Sequence, residues 1–221
     1  MVARTAQLLG GLLAFALSMA MLLHSGQGAM PWDVLHQGVA LRTGWGIGAV
    51  VMASSALVLL MWIPLRQRPG VGTVVNVIVI GLTIGPVLAL LERILPDPGL
   101  VTAVALAVGG VVVNGLATAA YLGVHLGPGP RDGLMTGLVR QTGWPVRRVK
   151  TLIEITVVLA GWALGGTLGW ATALFAVGVG PVVQVALPWF DRAGRRATRG
   201  SDRASCAEAS AGGLDESGMR A

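Results

Sequence analysis

Apolar runs of about 20 residues recur along the chain, and no other feature restricts its fold as strongly. A transmembrane helix needs a run of this length, because the hydrocarbon core of a bilayer is about 30 Å thick. Charged residues make up 12% of the 221-residue sequence, about half of the share that soluble domains carry. The sequence therefore predicts an all-α transmembrane protein. Six spanning helices are predicted, over residues 7–25, 44–65, 71–91, 100–123, 151–169 and 172–190.

The second feature is an internal repeat at an offset of 99 residues. The segments PWDVLHQGVALRTGW, from Pro31, and PRDGLMTGLVRQTGW, from Pro130, are identical at seven of fifteen positions. Glycines elsewhere keep the same offset, so the duplication covers about residues 8–90 and 107–189. Each copy contains three predicted crossings. Because three is odd, the second copy enters the membrane from the opposite side, and the sequence predicts two inverted three-helix repeats, each with a short half-helix.

Lys and Arg residues concentrate after the second, fourth and sixth predicted helices, which by the positive-inside rule places both termini in the cytoplasm. Residues 1–190 are predicted to form the membrane domain. Residues 191–221 have no apolar periodicity and are predicted to be a disordered cytoplasmic tail. Four arginines at its start are expected to contact anionic lipid headgroups: Arg192, Arg195, Arg196 and Arg199. The net charge of +6 thus indicates lipid contacts rather than nucleic acid.

The first apolar run also resembles a cleaved signal peptide, since it follows Arg4 and precedes small residues. Its glycines, however, have counterparts in the second repeat. A segment with a structural counterpart inside the chain is expected to be retained.

The repeated segments are too short to cross a membrane. Proline at the start and glycine at the stop predict a short helix in each, either re-entrant or lying at the interface. Asp33 and Asp132 fall in the first turns. One interpretation is that they only complete the helix starts. The other is that they form a symmetric pair at opposite mouths of a pathway and bind a cation or polar solute, so that their substitution would impair uptake equally.

Three further polar residues lie inside predicted spans. Glu154 is an intramembrane carboxylate and so a candidate solute-binding residue. Because Lys150 precedes it by four residues, an ordinary salt bridge is the alternative. Asn76 and Asn114 are candidates for solute binding or for hydrogen bonds between helices. No catalytic set, metal site or cofactor motif is predicted, and Cys206 is the only cysteine.

Four stretches carry a resemblance to a known family: GPRDGLM from Gly129, the R-x-x-K-x-x-I-E pattern of Arg147–Glu154, LGGTLG from Leu164, and GVGPVVQ from Gly178. The chain resembles the YczE/YitT-like bacterial integral membrane proteins over nearly all of residues 8–190. The resemblance implies a multi-pass protein of the bacterial plasma membrane and no particular activity.

Two functions fit these observations. The first is a small transporter or permease for a solute or ion, which predicts a polar cavity between the repeats. The alternative is a non-catalytic accessory, regulatory or scaffold protein of the membrane, which predicts a dry centre packed with glycine. An enzyme is disfavoured because the sequence offers no convergent catalytic set. An oligomer is compatible with either function.

Overall fold

A computed structural model describes residues 2–191. Within that range the chain forms eight α-helices and no strand. They are α1 (Val2–Ser25), α2 (Pro31–Thr43), α3 (Ile47–Met61), α4 (Val71–Ile94), α5 (Leu100–Leu122), α6 (Pro130–Thr142), α7 (Val146–Ala163) and α8 (Trp170–Phe190). The predicted tail and its four lipid-facing arginines lie, from residue 192 onward, outside the described residues.

Four of these helices are long and apolar enough to cross a membrane, namely α1, α4, α5 and α8. A fifth candidate is the pair α2 and α3, whose axes differ by 116° across a short break. Many of their apolar side chains face outward: Val177 is 77% exposed and Leu82 62%. Apolar surface on this scale suits contact with lipid rather than water. The all-α membrane fold is confirmed, while the number of crossings is settled only as four or five by length and composition.

The two short helices form as the sequence predicts. Each begins at a proline, Pro31 or Pro130, whose fixed φ suits the first helical position and whose missing N–H leaves no donor unpaired there. Each ends at a glycine in the left-handed conformation, with φ of 73° at Gly44 and 70° at Gly143. The glycine N–H then returns to a carbonyl in the last turn and stops the helix.

Two predicted spans have different bounds in the structure. The span 44–65 is helical only over the 15 residues of α3, because the chain turns before Pro64 and has a φ of 51° at Arg66. The span 151–169 begins earlier, at Val146 after Pro145, and ends at Ala163. Its basic first turns are helical, since Arg and Lys are good helix formers even where they lie outside an apolar run.

The largest core lies between α1, α4, α5 and α8. Leu12, Met19 and Leu22 of α1 are fully buried against α5, and α8 covers the other side of α5 with Phe175 and Val179. The short helix α2 packs along α7, whereas α6 contacts α3 and α7. The two short helices are thereby enclosed by other helices at their starts.

Candidate functional site

A cavity of about 390 Å³ lies in the middle of the helices, and all eight described helices contribute to its wall. The first residues of α2, Pro31 and Trp32, line it from one side. The first residues of α6, from Pro130 to Asp132, line it from the other. Both short helices therefore begin at one central space, with their positive ends directed toward it.

Asp33 lies behind this wall, fully buried in the first turn of α2. Its Oδ1 atom is 3.1 Å from Nδ1 of His36, one turn further along the same helix. The other ring nitrogen of His36, Nε2, is 2.7 Å from the hydroxyl of Ser54 on α3. These contacts tie the start of α2 to α3 through side chains.

Arg131 connects Asp33 to the cavity. Its Nη2 atom is 3.6 Å from Oδ1 of Asp33, and its guanidinium lies over the ring of Trp32 at 5.2 Å from the centroid. Both Arg131 and Trp32 line the cavity. The guanidinium is thus held between a buried carboxylate and an aromatic face, where charge attraction and the ring quadrupole both act on it.

Asp132 has a different partner. The hydroxyl of Tyr121, on α5, donates to Oδ2 of Asp132 at 2.6 Å. Phe15 meets the Tyr121 ring edge-on, with centroids 6.2 Å apart, and so fixes its orientation. The carboxylate of Asp132 thus joins α6 to α5. That of Asp33 contacts His36 in its own helix and Arg131 in α6.

Glu154 and Lys150 face the cavity from α7, and Lys150 Nζ lies 3.7 Å from Oε1 of Glu154. The salt bridge that the four-residue spacing predicts is therefore present. Glu154 is 25% exposed and Lys150 45%, so neither side chain is fully enclosed. The pair is a structural contact and part of the cavity wall at once.

Asn76 and Asn114 also lie in the wall of the cavity. The amide of Asn114 is buried, and its Nδ2 donates to Ser18 Oγ on α1 at 2.9 Å. A weaker contact of 3.6 Å joins it to the sulfur of Met30, just before α2. Asn114 thus makes the interhelical bond that its position predicts, on the border of the central space.

The structure brings four of the five candidate residues to one cavity: Asp132, Glu154, Asn76 and Asn114. Asp33 reaches it only through Arg131. The prediction that Asp33 and Asp132 lie at opposite mouths of a pathway is wrong, because α2 and α6 start at the same place.

Sequence reasoning missed Arg131, Trp32 and Tyr121. Arg131 and Trp32 occupy equivalent positions of the repeat, but their side chains differ. A comparison that marks only identical residues of the two repeated segments therefore does not mark them. Tyr121 is the only tyrosine in the chain and lies in an apolar run, which was a usable signal. Within residues 2–191, no three His, Cys, Asp or Glu side chains are grouped as metal ligands are.

Helices of spanning length with apolar outer faces around a polar centre define an integral membrane protein. The chain belongs to the family described as "Family of unknown function (DUF6198)", whose model matches residues 2–188. It is 40% identical over 178 residues to an uncharacterized protein of Haemophilus influenzae, covering 78% of this chain and 80% of that protein. It is 32% identical over 168 residues to the uncharacterized membrane protein YczE of Bacillus subtilis, covering 73% and 74%. The resemblance to YczE-like proteins is confirmed. No solved structure is significantly similar to the chain.

Proposed function

We propose that this protein is a transporter of small polar solutes, formed by two inverted repeats of three spanning helices each. The observation that carries the proposal is the central cavity, where two short helices begin and where charged side chains face one another. Solute sites of secondary transporters are commonly built from half-helix ends near the middle of the membrane, between inverted repeats.

Helix bounds support the repeat. At the offset of 99, α2 corresponds residue for residue to α6, and α4 and α8 start at equivalent positions. Contacts are exchanged in the same way. The N–H of Gly72 donates to Leu126 O at 2.9 Å, and at equivalent positions Ala171 N–H donates to Gln27 O at 3.1 Å. Each repeat therefore holds the other by the same bond.

The stack of Arg131 on Trp32 supports an axis between the repeats. These two residues are equivalent in the repeat and contact each other. Under a two-fold relation, a residue touches its own counterpart only where it lies next to the axis. The start of the short helices would then be the centre of the molecule, and α2 and α6 would be re-entrant from opposite faces.

The cavity suits a solute of modest size with both kinds of charge. Its volume of about 390 Å³ lies at the small end of ligand pockets, which span about 300–1,000 Å³. Arg131 and Lys150 supply positive charge, and Asp132 and Glu154 supply negative charge. Ring faces of Trp32 and other aromatic residues complete the wall, which is the mixed lining that small-molecule sites have.

A scaffold would instead have a dry centre packed with glycine. Close glycine packing is present between α2 and α7, where a methyl on Gly38 would lie 2.5 Å from the carbonyl oxygen of Gly161. That contact is peripheral to the cavity, which holds four charged side chains. The polar centre favours transport over the scaffold role. Loop charge supports a plasma-membrane orientation with both termini in the cytoplasm.

Alternating access tests the proposal without knowledge of the solute. Thr118→Cys places a thiol in the cavity wall, and the neighbouring Ala117→Cys places one at a buried position that does not line it. In a Cys206→Ser background, a membrane-impermeant methanethiosulfonate is applied to right-side-out and inverted vesicles. We expect Thr118→Cys to react from both sides and Ala117→Cys from neither. Reaction of Thr118→Cys from one side only, or from none, would contradict a carrier.

A further inference from the structure

A chain of polar contacts, buried at its centre, runs from α3 through α2 to the cavity. It consists of Ser54, His36, Asp33 and Arg131, joined at 2.7, 3.1 and 3.6 Å in that order. His36 is 1% exposed and Asp33 not at all. Intramembrane His and Asp groups in contact with each other are typical of proton relays.

The hydroxyl of Ser54 has two hydrogen-bond partners within reach. Its oxygen is 2.7 Å from Nε2 of His36 and 3.0 Å from the carbonyl oxygen of Val51. With His36 neutral, Nδ1–H donates to Asp33 and the Ser54 hydroxyl donates to Nε2. With His36 protonated, both ring N–H groups donate, and the Ser54 hydroxyl turns to Val51. His36 can therefore take up a proton on Nε2 while Ser54 only turns its hydroxyl hydrogen.

Asp33 can hold only one of its cationic partners well. His36 and Arg131 approach the same oxygen, Oδ1, while Oδ2 is buried and accepts no hydrogen bond from the described residues. The Arg131 distance of 3.6 Å exceeds a hydrogen bond, so attraction of charge alone holds it there. A protonated His36 would make a charge-assisted bond to Asp33 and supply its counter-charge. Arg131 would then lack a buried anion.

We propose that Asp33, His36 and Ser54 form a proton-binding site that controls Arg131. In the unprotonated state Asp33 neutralises Arg131. In the protonated state Arg131 is released to the cavity and binds a carboxylate group of the solute. The proton site stands on geometry alone, whereas the solute half rests on the transport function proposed above.

Proton and carboxylate then bind cooperatively, because each favours the same state of Arg131. Linkage requires the two effects to be equal, and coupling of this kind usually changes affinity by about 5- to 150-fold. The remaining charged groups at the cavity are already paired or bonded. Lys150 and Glu154 of α7 pair with each other, and Asp132 of α6 accepts from Tyr121. Arg131 is accordingly the group whose partner changes.

The order Ser54–His36–Asp33 also matches that of a serine nucleophile with its base and orienting acid. Ser54, however, is not among the residues lining the described cavity. The cavity therefore does not bring a substrate carbonyl to its hydroxyl. Labelling of Ser54 by a fluorophosphonate would show that Ser54 is a nucleophile, and it would overturn the proposed proton-binding site.

The test uses the full-length protein in detergent. NMR of labelled histidine reports the protonation of His36, and NMR of 5-fluorotryptophan reports the position of Arg131 through the Trp32 ring. The variants His36→Gln and Trp32→Phe assign the two signals. We expect the Trp32 fluorine signal to move with the protonation of His36 and to lose this movement in His36→Gln. His125→Gln is the matched control, because His125 makes a 3.0 Å pair with Asp191 at the surface, 56% exposed.

Ser54→Ala is the second variant, since it keeps both charged groups and is the mildest change in the chain of contacts. It should alter the proton uptake of His36 and leave the fold intact by circular dichroism. A Trp32 signal that ignores His36 protonation, in a folded wild-type protein, would overturn the proposal.

Free glycine serves as the carboxylate probe, since its carboxylate stays ionised between pH 5.5 and pH 8. Its effect on the Trp32 signal should appear at a concentration at least about 5-fold lower at pH 5.5 than at pH 8. Equal affinity at both values, or no binding at all, would remove the solute half and leave the proton site. If Thr118→Cys fails to react from both sides while the Trp32 signal still follows His36 protonation, the transport function is contradicted and the proton-binding site is not.

Discussion

Gly161 tests whether α2 is enclosed by the other helices, on which the whole site depends. A methyl at Gly161 would overlap the backbone of Val34 and Leu35 in α2. Backbone cannot rotate away as a side chain can, so Gly161→Ala must push α2 from α7. Inserting such a group into a packed interior costs about 1–3 kcal/mol. The gain in helix propensity, about 0.8–1 kcal/mol for Gly to Ala, offsets part of this cost.

The net loss is therefore about 0–2 kcal/mol, which corresponds to a melting temperature up to about 8 °C lower for a chain of this size. Gly10→Ala is the matched control, because Gly10 lies within α1 and has no atom within 4 Å of its would-be methyl. It should raise the melting temperature by about 2–4 °C. Tryptophan fluorescence during heating in detergent measures both.

If α2 instead lay on the membrane surface, away from α7, the two glycines would be equivalent. Equal and positive shifts for Gly161→Ala and Gly10→Ala would refute the packing. A lowered melting temperature confined to Gly161→Ala would show that α2 is held between helices, as a re-entrant helix must be.

Two further predictions concern topology and α7. In the Cys206→Ser background, Thr43→Cys and Thr142→Cys place exposed thiols at the equivalent ends of α2 and α6. An impermeant maleimide should reach Thr43→Cys from outside and Thr142→Cys from the cytoplasm. Labelling of both from one side would exclude inverted repeats. Glu154→Gln should lower the melting temperature by less than about 4 °C, because its partner Lys150 is 45% exposed and pairs of this kind contribute about 0.2–1 kcal/mol. A larger drop would mean that Glu154 has a buried role.

Local elements were predictable where a residue type fixes the backbone. Proline at residue 31 and glycine at residue 44 define α2, and the same pair 99 residues later defines α6. The apolar runs gave the long helices in the same way, since length and hydropathy alone decide them. The bounds of α7 were missed because its charged first turns fall outside that rule.

The candidate site was predictable only in part, because it depends on which helix ends meet. The repeat marked Asp33 and Asp132 as a pair, but nothing in the sequence says that α2 and α6 begin at one cavity. The contact between Asp33 and His36, by contrast, follows from the sequence alone. His36 lies three residues after Asp33, a spacing at which two side chains of one helix are neighbours.

The two repeats differ in sequence near the cavity, and Asp33 and Asp132 therefore have different contact partners. At the positions equivalent to His36 and Ser54, the second repeat has Met135 and Ile153, which carry no proton. Of the two aspartates, Asp33 is thus the one whose side chain contacts a histidine.

The second aspartate differs in the opposite direction. The equivalent of Tyr121, which holds Asp132 at 2.6 Å, is Leu22 in the first repeat. Asp33→Asn would remove the counter-charge of Arg131, whereas Asp132→Asn keeps an acceptor for Tyr121. The equal effects expected from the sequence therefore give way to unequal ones. Asp33→Asn should abolish proton coupling and cost about 1.5–3 kcal/mol of stability, as loss of a hydrogen bond to a charged group does, because Arg131 still reaches the cavity. Asp132→Asn should leave the fold intact and change only what the cavity binds.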